Sequence, residues 1–109
     1  MANIHIALVG GQATPVYQGI MYTNPDRVIL IHSTQTETEA NRINAEIMIE
    51  CELIKFNPVD LQQISDAVIK LKNGFSTNDH ITINVGGGTK PWSIIFYEYF
   101  RKDANTQLF

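Results

Sequence analysis

The sequence predicts an α/β fold, a Rossmann-like doubly wound parallel sheet arranged as three α/β/α layers. Short apolar runs rich in β-branched residues alternate with amphipathic helical patterns along all 109 residues. No repeat, linker or low-complexity segment interrupts this alternation. Strands that alternate with helices favour parallel pairing through right-handed crossovers, which cover both faces of the sheet. Glycine-rich turns follow the first and fourth strands, where such sheets bind ligands.

The composition indicates one globular domain, residues 1–109, without a cofactor. Hydrophobic residues make up 44% and charged residues 17%, which is enough for one modest core. The net charge of −3 argues against duplex nucleic acid as a partner but not against a small phosphorylated ligand. A single cysteine excludes an intrachain disulfide, and the three histidines lack zinc-type spacing. With no signal peptide or membrane-spanning run apparent, we expect a cytoplasmic protein without membrane contact.

The first half of the chain predicts two strand–helix units. Residues 4–9 form an apolar run that ends at two glycines. Thr14 precedes a proline and is the expected N-cap of the first helix, with the proline at the first helical position. Residues 27–33 are the clearest strand of the chain. Thr36 and Glu39 have the spacing of a capping box, so a second helix is expected to begin there.

The second half adds two further units and the start of a fifth strand. Residues 51–56 predict a weaker third strand, and Asp60 with Gln63 forms another cap pair before the third helix. Gly74 is expected to be the left-handed residue just after that helix. Residues 107–109 are typical of a strand that is cut off, so the fold is expected to be truncated at its C-terminus.

Residues 81–91 have the most informative pattern: a β-branched strand, three glycines, then threonine, lysine and proline. Glycines let backbone N–H groups approach a ligand closely, and Pro91 suits the first helical position. Because a residue before proline avoids the α region, Lys90 is expected to be the last non-helical residue. Unpaired N–H groups at a helix start favour an anion, most simply a phosphate. A tight turn beside a surface lysine is the alternative.

The helix after this lysine has an unusually wide and aromatic apolar stripe. Trp92, Phe96 and Phe100 belong to it, and packing against the sheet accounts for most of the stripe. Ile94 and Tyr97 lie off the stripe. Part of this helix is therefore expected to face a second subunit.

In a doubly wound sheet the fourth strand lies beside the first, and ligands bind at that switch point. The flanking loops are then residues 10–14 and 86–90, with residues 33–35 one strand further out. The first loop lacks the third glycine of a dinucleotide fingerprint, and no acidic residue ends the second strand. Proline after Lys90 also departs from the P-loop pattern. A nicotinamide or nucleoside-triphosphate enzyme is therefore disfavoured.

Three segments of the chain resemble the CARF family, the CRISPR-associated Rossmann-fold sensor domains of type III CRISPR systems. They are residues 8–15, 25–36 and 85–91, and the similarity covers nearly the whole chain. It looks closest to the branch in which such a domain is joined to a nuclease-like domain. Family members usually continue through further strands into an effector domain. This sequence stops earlier, so we expect the effector domain to be absent from it.

The resemblance implies a homodimer that binds a cyclic oligoadenylate, most often the tetra-adenylate, across its two-fold axis in antiviral defence. It also implies an effector domain or protein as a partner. A ligand with two-fold symmetry suits an isologous dimer. By the family's pattern, the ligand-binding residues are Gly10, Gly11, Gln12, Thr14, Gly87, Gly88, Thr89 and Lys90. Weaker candidates one strand further out are Ser33, Thr34 and Gln35.

Three functions remain open at this point. The first is a sensor whose ligand changes the dimer and an effector. The second is a metal-independent ring nuclease, in which Lys90 stabilises developing charge while Thr14 or Ser33 orients a 2′-hydroxyl. The third is a generic nucleotide-binding regulatory Rossmann domain. The candidate loops contain no histidine or carboxylate that is an obvious general base, so the sensor is preferred over the enzyme.

Overall fold

A computed structural model describes residues 2–108, which form a five-stranded parallel sheet and four helices. The strands are β1 (Asn3–Leu8), β2 (Arg27–His32), β3 (Glu50–Lys55), β4 (His80–Asn84) and β5 (Thr106–Leu108). The helices are α1 (Ala13–Thr23), α2 (Glu37–Glu46), α3 (Leu61–Asn73) and α4 (Lys90–Phe100). The sheet order β3-β2-β1-β4-β5 confirms the predicted Rossmann-like fold. Phe109, the end of the predicted fifth strand, lies outside the described residues.

The two faces of the sheet each have an apolar core. On one face, Ile6 and Leu8 of β1 pack with α3 and α4, and this core includes the fully buried Trp92 and Phe96. On the other face, Ala7 of β1 packs with residues of α1 and α2. Each large apolar side chain buried in this way contributes about 1.5–3 kcal/mol, which holds both helical layers onto the sheet.

Strand β4 is apolar on one face only. Ile81 and Ile83 are buried in the α3/α4 core, whereas Thr82 and Asn84 point to the α1 side of the sheet. The parallel register pairs Asn84 with Ala7 of β1, immediately before the turn that follows each strand. A polar side chain at the end of β4 therefore lies next to the turn after β1.

Two helices begin one or two residues earlier than the sequence predicts. Gln12, not Thr14, is the N-cap of α1, which leaves Thr14 inside the first turn. Thr89 is the N-cap of α4, and its Oγ1 accepts from Trp92 N at 3.5 Å. Lys90 is consequently the first helical residue rather than the last non-helical one. A threonine hydroxyl can accept this backbone hydrogen bond whereas an ammonium has no acceptor, which is why Thr89 takes the cap position.

The other cap predictions have mixed outcomes. Thr36 lies at the N-cap of α2, but its Oγ1 accepts from Ser33 N at 2.9 Å instead of from the helix, so the predicted capping box is wrong. The cap of α3 is confirmed, since Asp60 Oδ1 accepts from Gln63 N at 3.1 Å. Gly74 ends α3 as a C-cap with φ −82°, not as the expected left-handed residue.

Candidate functional site

The glycine turns after β1 and β4 are in direct contact. A Cβ atom placed on Gly10 would lie 3.0 Å from Gly88 N. A Cβ atom on Gly87 would overlap the carbonyl oxygen of Leu8 and approach Gly10 N to 3.2 Å. The backbones approach each other this closely only because neither turn has side chains at these positions. The structure therefore brings together the two loops that the sequence placed side by side.

A cleft of about 330 Å³ opens at this contact. Its lining is Gly10, Gly11, Gln12, Pro15, Val16, Asn84, Gly86, Gly87 and Gly88. Within residues 2–108, the backbone N–H groups of Gly10, Gly11, Gly87 and Gly88 donate to no protein acceptor. Unpaired N–H groups in a concave turn are suited to bind an anion.

Lys90 lies in the first turn of α4, two residues after Gly88 of the cleft. Trp92 anchors the turn, because its indole N–H donates to Asn57 O at 2.8 Å and its ring is fully buried. Ser93 Oγ donates to Val85 O at 3.2 Å and fixes the same turn to the end of β4. The Lys90 side chain itself is exposed. The residues that line the cleft include no charged side chain and do not include Lys90, so contact between Lys90 and a ligand stays a prediction.

Thr14, by contrast, does not line the cleft. It is exposed in the first turn of α1 and lines a separate groove of about 260 Å³ between α1 and α2. Tyr17, Arg42 and Glu46 share that groove. The early start of α1 is the reason, because it places Thr14 on the helix surface rather than in the glycine turn.

The loop after β2 carries the remaining candidates, which also lie outside the cleft. Ser33 is buried, its Oγ lies 3.3 Å from Thr36 Oγ1, and its carbonyl accepts from His32 Nδ1 at 2.9 Å. These bonds give Ser33 a role in shaping the turn. Thr34 and Gln35 are exposed beside it at the same edge of the sheet. Ligand contact by these three residues stays a prediction.

The cleft includes one polar side chain that the sequence analysis missed. Asn84 ends β4, and its Oδ1 accepts from Gly86 N at 3.0 Å. The available signal was the alternation within β4, in which an asparagine occupies the last polar-facing position before the glycines. The cleft is also lined by Gly86, which belongs to the predicted flanking loop but not to the candidate ligand-binding residues, and by Pro15 and Val16, which were not predicted.

Two groups with strongly shifted pKa values lie outside the cleft. Burial lowers the pKa of His5 to about 4. Burial, with a smaller contribution from the charge of Glu52, raises the pKa of Cys51 to about 11. Within the described chain no cluster of three or more His, Cys, Asp or Glu side chains could hold a metal ion. None of its helices is long and apolar enough to cross a bilayer.

The family model of the Card1 CARF domain matches residues 4–109 of this chain. The chain belongs to the CARF family. The match covers the cleft and both glycine turns of this CARF domain. It also agrees with the resemblance that the sequence itself suggested. No curated protein is similar enough in sequence to count as a relative.

Solved structures share the fold of this CARF domain at low sequence identity. Can2 from Sulfobacillus thermosulfidooxidans, in complex with cyclic tetra-adenylate, has a TM-score of 0.79 and 19% identity over 93% of this chain and 30% of its own. VC1899 from Vibrio cholerae has a TM-score of 0.73 and 15% identity, and the match covers 91% of this chain and 28% of that protein. A type III CRISPR defence DNA nuclease activated by cyclic oligoadenylate has a TM-score of 0.64 and 21% identity. The match covers 97% of this chain and 18% of that protein. The CARF domain thus spans less than a third of each of these chains.

Proposed function

We propose that this CARF domain is a sensor that binds a cyclic oligoadenylate in type III CRISPR antiviral defence, with cyclic tetra-adenylate as the expected ligand. The observation that carries the proposal is the contact between the two glycine turns, which leaves unpaired N–H donors in the turn that leads into Lys90. Such donors and one ammonium are suited to a ring of phosphodiesters. The likeness to Can2 bound to cyclic tetra-adenylate supports this choice of ligand.

The proposed sensor acts as a homodimer. A cleft of about 330 Å³ is at the small end for a drug-sized ligand, and a ring of four nucleotides needs more room. Two copies related by a two-fold axis would offer two such clefts and two Lys90 side chains to one symmetric ring. The outer face of α4 carries the exposed Ile94 and Tyr97 and is the surface we assign to this contact.

The remaining parts of the proposal concern partners and location. The ligand would act through an effector domain or protein, as in the similar DNA nuclease that is activated by cyclic oligoadenylate. We expect this to take place in the cytoplasm. The proposed ligand-binding set keeps the residues named from the sequence, with Gly10, Gly11, Gln12, Gly87 and Gly88 at the cleft itself.

Replacement of Lys90 by alanine tests the proposed anion site. We expect Lys90→Ala to weaken cyclic tetra-adenylate binding about tenfold or more, which is about 1.4 kcal/mol, because a charge-assisted phosphate contact is lost. Isothermal titration calorimetry measures the change. Lys70→Ala is the matched control, since Lys70 is also an exposed helical lysine but lies on α3 away from the cleft. Equal affinities of the two variants for cyclic tetra-adenylate would show that Lys90 does not contact the ligand.

Incubation of the protein with cyclic tetra-adenylate separates the sensor from the ring nuclease. The geometry favours the sensor, because Thr14 and Ser33, the residues considered for orienting a 2′-hydroxyl, both lie outside the cleft. We expect chromatography to recover the intact ring after it has been bound. A linear product would show that the protein is a ring nuclease rather than a sensor. The absence of any binding would favour a generic regulatory nucleotide-binding domain.

A further inference from the structure

Asn84 is the polar side chain at the cleft with a fixed orientation. Gln12 also lines the cleft, but its side chain is exposed and makes no hydrogen bond within the described residues. Asn84 is half-buried at the end of β4 and accepts a hydrogen bond from Gly86 N. A side chain that is already ordered loses less conformational entropy when it binds a ligand.

Two neighbours determine which way the Asn84 carboxamide points. Gly86 N is a donor, so the atom that it contacts at 3.0 Å is the oxygen Oδ1 and the other end is the amide nitrogen Nδ2. On that side, a Cβ atom placed on Gly19 of α1 would lie only 3.0 Å from Nδ2. The glycine in α1 therefore leaves the space that the amide group occupies.

The fixed carboxamide keeps hydrogen-bonding capacity for a ligand. Nδ2 donates to no acceptor within residues 2–108. Oδ1 uses one lone pair for Gly86 N and retains a second. A donor next to an acceptor on one planar amide matches adenine, whose N7 accepts and whose N6 amino group donates. The backbone N–H groups and Lys90 offer donors only, which suits phosphates rather than bases.

We propose that Asn84 recognises an adenine base of the bound ring, with Nδ2 donating to N7 and Oδ1 accepting from the N6 amino group. The assignment depends on the proposed function, because it needs an adenylate ligand in this cleft. It divides the site into two parts. Glycine N–H groups and Lys90 bind the phosphates, and Asn84 selects the base.

A ligand without N7 tests the assignment by a double-mutant design. The test compares cyclic tetra-adenylate with the same ring built from 7-deaza-adenosine, for the full chain and for Asn84→Asp. The aspartate can still accept from Gly86 N but has no amide donor. For the unaltered protein we expect 7-deaza substitution to weaken binding about fivefold to a hundredfold, as for loss of a specific base contact. For Asn84→Asp, we expect the 7-deaza ring and cyclic tetra-adenylate to bind with the same affinity.

The outcomes distinguish the two proposals. If the unaltered protein does not bind cyclic tetra-adenylate, the proposed function and the role of Asn84 both fail. If it binds both rings equally, or if both proteins lose the same factor on 7-deaza substitution, only the role of Asn84 fails. Asn44→Asp, an exposed site on α2, controls for the added negative charge and should keep the affinity of the unaltered protein.

Gly19→Ala provides a second variant in case Asn84→Asp does not fold. The added methyl group displaces Nδ2 of Asn84, and Gly19 does not line the cleft. We expect this variant to bind cyclic tetra-adenylate more weakly and to discriminate less against the 7-deaza ring. Unchanged discrimination in Gly19→Ala would contradict the assignment.

Discussion

We expect His5, a buried residue in β1, to make the stability of the domain sensitive to pH. Its side chain is 0% exposed, and Nδ1 lies 2.9 Å from Thr23 Oγ1. The Thr23 hydroxyl lies 3.2 Å from the carbonyl oxygens of Gly19 and Ile20, to which it donates, so it accepts from His5 Nδ1–H. Burial lowers the pKa of His5 from 6.5 to about 4, and the ring is neutral near pH 7.

We predict that the free energy of unfolding falls as the pH drops from about 6.5 toward 4. In that range the unfolded chain binds a proton at His5 that the folded chain does not, so acid favours unfolding; above pH 6.5 the contribution of His5 is fully present. The loss is at most about 3 kcal/mol. Urea unfolding at several pH values measures it.

Two substitutions isolate the contribution of His5 from that of other titrating groups. His5→Gln should be less stable at pH 7 but should lose less stability on acidification than the unaltered protein. His80→Gln, at a partly exposed position, should retain the steep pH dependence. An equally steep loss in His5→Gln would show that His5 is not the responsible group.

The residues that line the cleft were predictable from the sequence only where a residue type has one main use. Glycines in series before a lysine and a proline at a strand–helix junction favour an anion site over a plain tight turn. Asn84 gave no such signal, because its role depends on a hydrogen bond to Gly86 and on the space above Gly19. Thr14, which the family's pattern included among the ligand-binding residues, lies on the surface of α1 because that helix starts two residues earlier than expected.

At the level of elements, the turn after β4 has no room for a side chain at Gly87 or Gly88, whereas the turn after β1 has room for one at Gly11. Gly88 has φ +73°, and a Cβ atom there would lie 2.5 Å from Trp92 Cε3 and 3.0 Å from Leu8 Cβ. A Cβ atom on Gly11 would meet nothing within 4 Å. The two glycines line the same cleft and differ in what surrounds them.

We predict that Gly88→Ala destabilises the domain by roughly 2 kcal/mol or more, from left-handed strain and overpacking against Trp92. Gly11→Ala should change stability by less than about 0.5 kcal/mol. Thermal or urea unfolding of both variants provides the comparison. Similar stabilities of the two would mean that the turn after β4 is not held by its packing on Trp92.

The order of the elements was predictable, and the helix starts were less so. Hydrophobic periodicity, with β-branched residues and glycine or proline breaks, distinguished four helices from five strands, and the parallel order followed from their alternation. Cap positions depend on which hydroxyl or carboxylate reaches a free N–H group. Thr36 Oγ1 accepts from Ser33 N instead of capping α2, whereas Asp60 caps α3 as expected. Such local competition is decided by backbone geometry that a sequence pattern does not contain.

For the whole molecule, the sheet topology brings the site and the proposed dimer contact onto one helix. Helix α4 starts at Lys90 beside the cleft, and its outer face continues through Ile94, which is 63% exposed, and Tyr97, which is 53% exposed. Its inner face is fixed by Trp92 and Phe96 in the core. Two copies that meet along α4 would place both clefts at the same end of the dimer when the two-fold axis runs parallel to the helix.

The stoichiometry of the complex tests the shared anion site most directly. The full chain is titrated with cyclic tetra-adenylate by calorimetry, and the size of the saturated complex is measured by analytical ultracentrifugation. We predict saturation at one ring for every two chains, with a dimer in the saturated complex. A ring that does not bind, or one ring on each separate chain, would contradict the account.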